Sequence, residues 1–192
     1  RIIAVTFFGM LIYASAIPFG SSDCKELPAM EGFDPTSFFT GTWYMTHANH
    51  GPPTTVCREF IYKRYGNGTL EVKSNRYKKN ETHEYFSNDT CTVNERSDGI
   101  GKFSVVCFRQ YDGENKGNRT FNAEWTVLQT DYTNYAVLYK CGSSRNKEYV
   151  WVYHRRKVNV DSAVTGVLDR YGWLITDFRS RSGTECKEHP NS

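Results

Sequence analysis

Between Gly41 and Arg155 the chain runs through eight short segments in which apolar and polar residues alternate, each closed off by a turn-rich stretch. Alternation of period two marks a strand with one buried face and one wet face. The segments are Gly41–His47, Cys57–Tyr65, Thr69–Tyr77, Thr82–Thr92, Gly101–Tyr111, Arg119–Gln129, Asn134–Cys141 and Glu148–Arg155. Gly66-Asn67-Gly68 is a strong tight-turn signal between the second and third, and Lys78-Lys79-Asn80 marks the next turn. Hairpin-length connections of this kind describe a meander, and eight antiparallel strands that close on themselves leave no edge to aggregate. The expected fold is mostly β, an eight-stranded antiparallel up-and-down barrel.

The period changes at Asn159. Val160, Val164, Val167, Leu168 and Tyr171 fall on one face of a helix, with Asn159 or Asp161 as N-cap and Gly172 as the stop. One C-terminal amphipathic helix should pack outside the barrel, followed by an extended piece from Trp173 to Phe178. Ahead of the first strand, Ser21 to Phe39 reads as an irregular or short helical lead-in. A length of 192 residues suits one domain with a proper core, and 13 Tyr and 12 Phe favour pleated, half-buried surfaces over helix bundles.

Ile2 to Tyr13 form an apolar run too short to span a bilayer, followed by the small-residue triplet Ala14-Ser15-Ala16. Residues 1–16 therefore read as a secretory signal peptide, and residues 17–192 as a secreted single domain with no membrane span. Six cysteines, Cys24, Cys57, Cys91, Cys107, Cys141 and Cys186, form an even set in an oxidising compartment, which predicts three disulfides among many possible pairings. Their spacing lacks the C-x2-C or Cys/His pattern that zinc needs. Asn67, Asn80, Asn88 and Asn118 begin Asn-x-Thr glycosylation sequons, the first three placed to coat one end or side of the barrel. The 24 basic and 21 acidic residues are interspersed, so no basic field points to nucleic acid.

Three motifs then carry a family resemblance. Gly41-Thr42-Trp43 on the first strand, Thr130-Asp131-Tyr132 before the seventh and Arg155-Arg156 after the eighth stand in the order and spacing of the three conserved regions of lipocalins. The string FFTGTWYMTH, the N-terminal IIAVTFFGMLIYASA and the cysteine layout resemble more closely the salivary lipocalins of blood-feeding triatomine bugs, of the triabin, pallidipin and procalin type. The resemblance covers nearly the whole chain and implies the pairs Cys24–Cys141, Cys57–Cys186 and Cys91–Cys107. In the chain-entropy description each bridge contributes roughly 2–4 kcal/mol. It also implies that Trp43 closes the narrow end of the barrel with Arg155 packed across it, and that Thr130-Asp131-Tyr132 is turn chemistry at that end.

Haem-carrying relatives in this group use a third-strand histidine; the matching position here is Arg76, so no cofactor is expected. His83, seven residues on, reads as solvated. No nucleophile elbow, phosphate-binding glycine loop or paired zinc-ligand motif occurs, and a binding protein rather than an enzyme is expected. The expected action is capture of a small hydrophobic or amphiphilic host mediator, either an eicosanoid such as thromboxane or a leukotriene, or a biogenic amine. The resemblance makes that action anti-haemostatic and the protein a monomer.

Alternation places Tyr149, Trp151 and Tyr153 on one face of the eighth strand, the face chosen for the lumen. Met45 and His47 share the parity of Trp43 and should point inward, and if Leu138 faces in, so does Lys140, near the mouth, where it could pair with a ligand carboxylate. An amine would instead want a carboxylate and an aromatic box; Glu124 enters from that end on an unassigned face. Basic stretches such as Arg76–Lys79 and Ser143–Lys147 read as solvated loops. The alternative action is triabin-like inhibition of a host clotting or contact-phase protease by the outer surface of the barrel mouth, with no small ligand.

Overall fold

The computed structural model describes residues 24–79, 83–112, 117–142, 147–157 and 162–188. The proposed signal segment, Asn80 and the helix-cap candidates Asn159 and Asp161 lie outside them. Eight antiparallel strands form the barrel: β1 (Thr42–Ala48), β2 (Glu59–Arg64), β3 (Leu70–Lys79), β4 (Glu84–Glu95), β5 (Lys102–Tyr111), β6 (Arg119–Thr130), β7 (Tyr135–Gly142) and β8 (Lys147–His154). Each pairs with its successor, and β1 pairs with both β8 and β2, which closes the cylinder and removes its edges. The expected barrel and its strand order are thus the observed ones.

Strand interiors follow the alternation and the borders do not. Cys57 sits in a 3-10 turn, Pro53–Cys57, and β2 starts at Glu59. The C-terminal piece from Trp173 to Phe178 is not extended: Ile175–Asp177 is another 3-10 turn, and a two-residue strand, β9 (Arg179–Ser180), pairs with the far half of β1. The helix covers Ser162–Asp169 and buries Val164, Val167 and Leu168. Gly172 ends it at φ 72°, where the Trp173 N–H reaches the Leu168 carbonyl at 3.1 Å. This helix packs with Val137, Tyr139, Val150 and Val152 in an outer core, on the opposite side of β7 and β8 from the lumen.

All three disulfides have the expected partners. Cys24–Cys141 and Cys57–Cys186 tie the two chain ends to the barrel wall across separations of 117 and 129 residues. Cys91 and Cys107 face each other directly across β4 and β5, on the inward side.

The closed end is an aromatic plug. Asp34 caps the short helix α1 (Pro35–Phe38), its carboxylate accepting the N–H groups of Thr36 and Ser37 at 2.8 and 3.2 Å. This capped turn delivers Phe38 and Phe39 into the barrel, where they meet Tyr62, Phe103 and Phe33. Trp43 stacks on Phe38 at 5.5 Å and donates from Nε1 to the Phe38 carbonyl at 3.1 Å. The Arg155 guanidinium lies 3.6 Å from the Trp43 ring centre and donates to the Tyr132 and Thr42 carbonyls. Asp131 accepts the N–H groups of Thr133, Asn134 and Tyr135, and this turn holds Tyr132 in the left-handed region at φ 67°. Trp43, Arg155 and the Thr130-Asp131-Tyr132 turn therefore close the barrel, as the motifs implied.

Asn67 lies in the turn at this closed end, Asn88 part-way along the outer side of β4, and Asn118 is exposed just before β6. Asn67 and Asn88 thus lie at different heights along the barrel rather than together at one end.

Candidate functional site

The open end is built from alternate residues of the strands that converge there. Arg58, just ahead of β2, shares the inward parity of Phe60 and Tyr62. On β3 the inward series runs Leu70, Val72, Ser74, Arg76 and Lys78, and on β5 it runs Phe103, Val105, Cys107 and Arg109. Each series is apolar toward the closed end and turns basic toward the mouth. Phe121, Lys140, Tyr149 and Trp151 complete the wall, and His50, Arg119 and Lys147 sit at its rim. They enclose a cavity of about 450 Å³, within the usual range for small-molecule sites.

The wall is strongly and unevenly charged. Asp89, 4% exposed, projects inward from β4 directly across from Arg109, which donates to it from Nε at 2.5 Å and Nη2 at 2.7 Å. Arg76, 7% exposed, places Nη1 3.9 Å from the same carboxylate. Burial would push the Asp89 carboxyl up, but the Arg109 hydrogen bonds and the charges of Arg76, Arg109 and Arg58 outweigh it and hold its pKa below the ordinary value. Arg76 is itself pulled well down, first by burial and then by repulsion from Arg58 and Arg109. Four cationic side chains, Arg58, Arg76, Arg109 and Lys140, thus share one carboxylate among the described lining residues. The Nε atoms of Arg58 and Arg76 and the indole N–H groups of Trp151 and Trp125 have no hydrogen-bond acceptor among the described residues.

Lys140 stands in an aromatic box. Its Nζ lies 4.6 Å from the Trp151 ring centre and 5.6 Å from those of Tyr149 and Phe121. Burial, then the charges of Arg58 and Arg76, lower its pKa to about 7. The arrangement suits an anionic head that satisfies the guanidinium and amine donors, attached to an apolar body that lies along the rings.

Of the residues singled out from sequence, Lys140, Tyr149 and Trp151 come together in this wall. Met45 and Leu138 face inward but are enclosed in the barrel core, away from the cavity lining. His47 does not point inward. A β-bulge at Thr46 shifts the register, so that Met45 faces Tyr153 but His47 faces Val152 and Ala48 takes the inward side. His47 is buried on the outer side of β1, its Nδ1 3.2 Å from Thr46 Oγ1, which also contacts His154 Nδ1 at 2.7 Å. Glu124 lies on the outer surface, paired with Arg96, and His83 is exposed ahead of β4.

Arg76 is no solvated loop residue: it belongs to the interior, and with it sequence reasoning missed Arg58, Arg109 and Arg119 as lining groups. Their signal was parity. Each continues an inward-facing series by two residues toward the mouth, where a charge otherwise reads as ordinary strand-end polarity.

Residues 14–167 match the triabin family. The chain is 32% identical to pallidipin from Meccus pallidipennis over 188 residues, covering 96% of each chain. Its fold matches the tryptamine complex of the amine-binding protein of Rhodnius prolixus with a TM-score of 0.70 at 20% identity, covering 88% of this chain and 91% of that one. It also matches a complex of LTBP1 with LTC4, leukotriene C4, with a TM-score of 0.53 at 26% identity, over 74% of this chain and 83% of that one. The barrel is of the lipocalin type, and the chain belongs to the triabin family.

Proposed function

We propose that the protein sequesters a small anionic amphiphile, a lipid carboxylate of the eicosanoid class, in the open end of its barrel. The observation that carries this reading is the imbalance of four buried or half-buried cations against one carboxylate, set beside an aromatic wall. A bound carboxylate replaces cation repulsion with charge-assisted hydrogen bonds, which in a partly dry site are worth roughly twice neutral ones. The likeness to a leukotriene C4 complex supports the same class. A biogenic amine suits this interior less well, since Asp89 is already engaged by Arg109 and Arg76 and the aromatic box already holds an ammonium. Haem is no part of the reading, because Arg76 stands at the haem-histidine position and a guanidinium offers no lone pair to iron.

In the setting implied by triabin-family membership the protein is a secreted, glycosylated monomer, cleaved after residue 16, that removes a host mediator and so impairs haemostasis without catalysis. Secretion and glycan occupancy are read together from the mass of material in conditioned medium before and after enzymatic deglycosylation.

Isothermal titration against arachidonate, a thromboxane mimic, leukotriene C4, serotonin, histamine and haem tests the ligand, with thrombin inhibition assayed in parallel. The expected result is one-to-one binding of a lipid carboxylate, weakened about tenfold or more in Arg76→Met, the loss of one charge-assisted contact. Tighter binding of an amine than of any carboxylate would sink the reading. Silence toward every small ligand together with thrombin inhibition would move the action to the outer surface.

A further inference from the structure

Lys140 differs in chemistry from the guanidinium groups around it. A guanidinium stays charged and has no lone pair to share, whereas an amine that loses its proton becomes a nucleophile. Three features of its surroundings work against the protonated form. Its Nζ is walled by the rings of Trp151, Tyr149 and Phe121, which give it little water. Arg58, Arg76 and Arg109 stand around the same cavity. Among the described residues no carboxylate pairs with it, because Asp89 is engaged by Arg109 and Arg76. The faces of the rings attract an ammonium through their negative quadrupole. Even so, burial and the charges of Arg58 and Arg76 lower its pKa to about 7, which leaves a large share of neutral amine at neutral pH. A desolvated lysine beside other cations is the general recipe for an imine-forming amine.

We propose that Lys140 captures aldehydes covalently, taking compounds that carry both a carbonyl and an anionic group. The anion sits against the Nε donors of Arg58 and Arg76, which have no acceptor among the described residues, and the carbonyl carbon is presented to Lys140 Nζ. The nitrogen lone pair forms a C–N bond while the carbonyl π pair moves to oxygen. That oxygen takes up a proton, and the nitrogen sheds one, giving a carbinolamine. The carbinolamine hydroxyl takes up a proton and leaves as water while the nitrogen lone pair closes the C=N bond, and the iminium so formed sheds its N–H proton. Amine plus aldehyde thus gives imine plus water, with no oxidant or reductant. The inference shares the cavity of the anion-binding reading and rests on it only for the placement of the carbonyl. The two modes respond oppositely to pH: carboxylate binding needs the protonated amine and weakens as pH rises through about 7, whereas imine formation gains.

The experiment uses pyridoxal 5′-phosphate as an anionic aldehyde, mixed with the full-length disulfide-bonded protein at equimolar ratio, trapped with borohydride and mapped by peptide mass spectrometry. The expected result is one reduced adduct on Lys140, about tenfold or more above any exposed lysine such as Lys63 or Lys79 at neutral pH, because those side chains lack the aromatic, cation-crowded enclosure of Lys140. The adduct should be absent in Lys140→Arg, which keeps the charge and the fold. Label spread over the exposed lysines with Lys140 bare overturns the proposal. So does quenching of tryptophan fluorescence by the probe with no trapped mass, a result that leaves anion binding intact. Pyridoxal without its phosphate separates the two readings: equal labelling of Lys140 keeps the imine and removes the anion preference, and strongly reduced labelling supports both.

Discussion

The two ends of the barrel use the same kinds of residue to opposite effect. At the closed end one arginine, Arg155, stacks on Trp43 and spends its N–H groups on backbone carbonyls of Tyr132 and Thr42. At the open end Arg58, Arg76 and Arg109 crowd one carboxylate, and among the described residues two of them keep donors without acceptors. Trp43 has its indole N–H bonded to Phe38, whereas that of Trp151 has no acceptor among the described residues. Satisfied polar groups inside an aromatic plug stabilise a fold, and unsatisfied ones beside an aromatic wall cost stability that a ligand restores on binding.

The largest expected effect lies at the closed end. Trp43→Ala should cost about 3–5 kcal/mol, the range for emptying a large aromatic from a packed core. Urea denaturation followed by near-ultraviolet circular dichroism measures it. A cost below about 1 kcal/mol would mean that the plug is loosely packed and the contrast between the ends is false. Arg76→Met, by contrast, should lower affinity while leaving the unfolding midpoint unchanged or higher, because it removes one of several mutually repelling buried cations.

A second effect sharpens the electrostatic side. In the unfolded chain Lys140 has the ordinary value of 10.5 and in the folded chain about 7, so between those values the unfolded chain binds more protons and stability rises with pH. Ligand affinity runs the other way. Above about 7 the free amine is neutral and must take up a proton to pair with a carboxylate, so arachidonate affinity should fall by up to about tenfold per pH unit. Titrations at pH 6.5, 7.5 and 8.5 in buffers of different ionisation enthalpy read both the affinity and the proton uptake, with these pH values chosen to bracket about 7. A flat profile in the wild type would remove Lys140 from the binding step, and Lys140→Arg should be flat.

The smallest effect belongs to the rim. Lys147→Gln should change affinity by no more than about threefold, mainly through the association rate, and the change should vanish at high salt because an exposed charge is screened. A larger, salt-resistant loss would extend the buried site outward past Tyr149.

The fold and the site were legible in the sequence to different depths. Alternation placed Tyr149, Trp151 and Lys140 on the lumen side, since a regular strand keeps its parity over its whole length. The same rule failed two residues beyond Met45, because the extra residue at Thr46 turned His47 to the outer face, and nothing local in Thr-His-Ala announces a bulge. Element borders also shifted: Cys57 fell in a 3-10 turn, and Ile175–Asp177 coiled where an extended piece was expected.

What the sequence by itself determined is what depends on neighbours along the chain: the strand alternation, the tight turn at Gly66-Asn67-Gly68, the apolar face of the helix and the motifs that place the chain in its family. What only the tertiary structure decided is the convergence of Arg58, Arg76, Arg109 and Lys140 from four different parts of the chain around Asp89. Each of the three arginines looks like a solvated strand end when read alone. The lowered pKa of Lys140 arises first from its burial and then from the charges of Arg58 and Arg76, and barrel closure sets those distances.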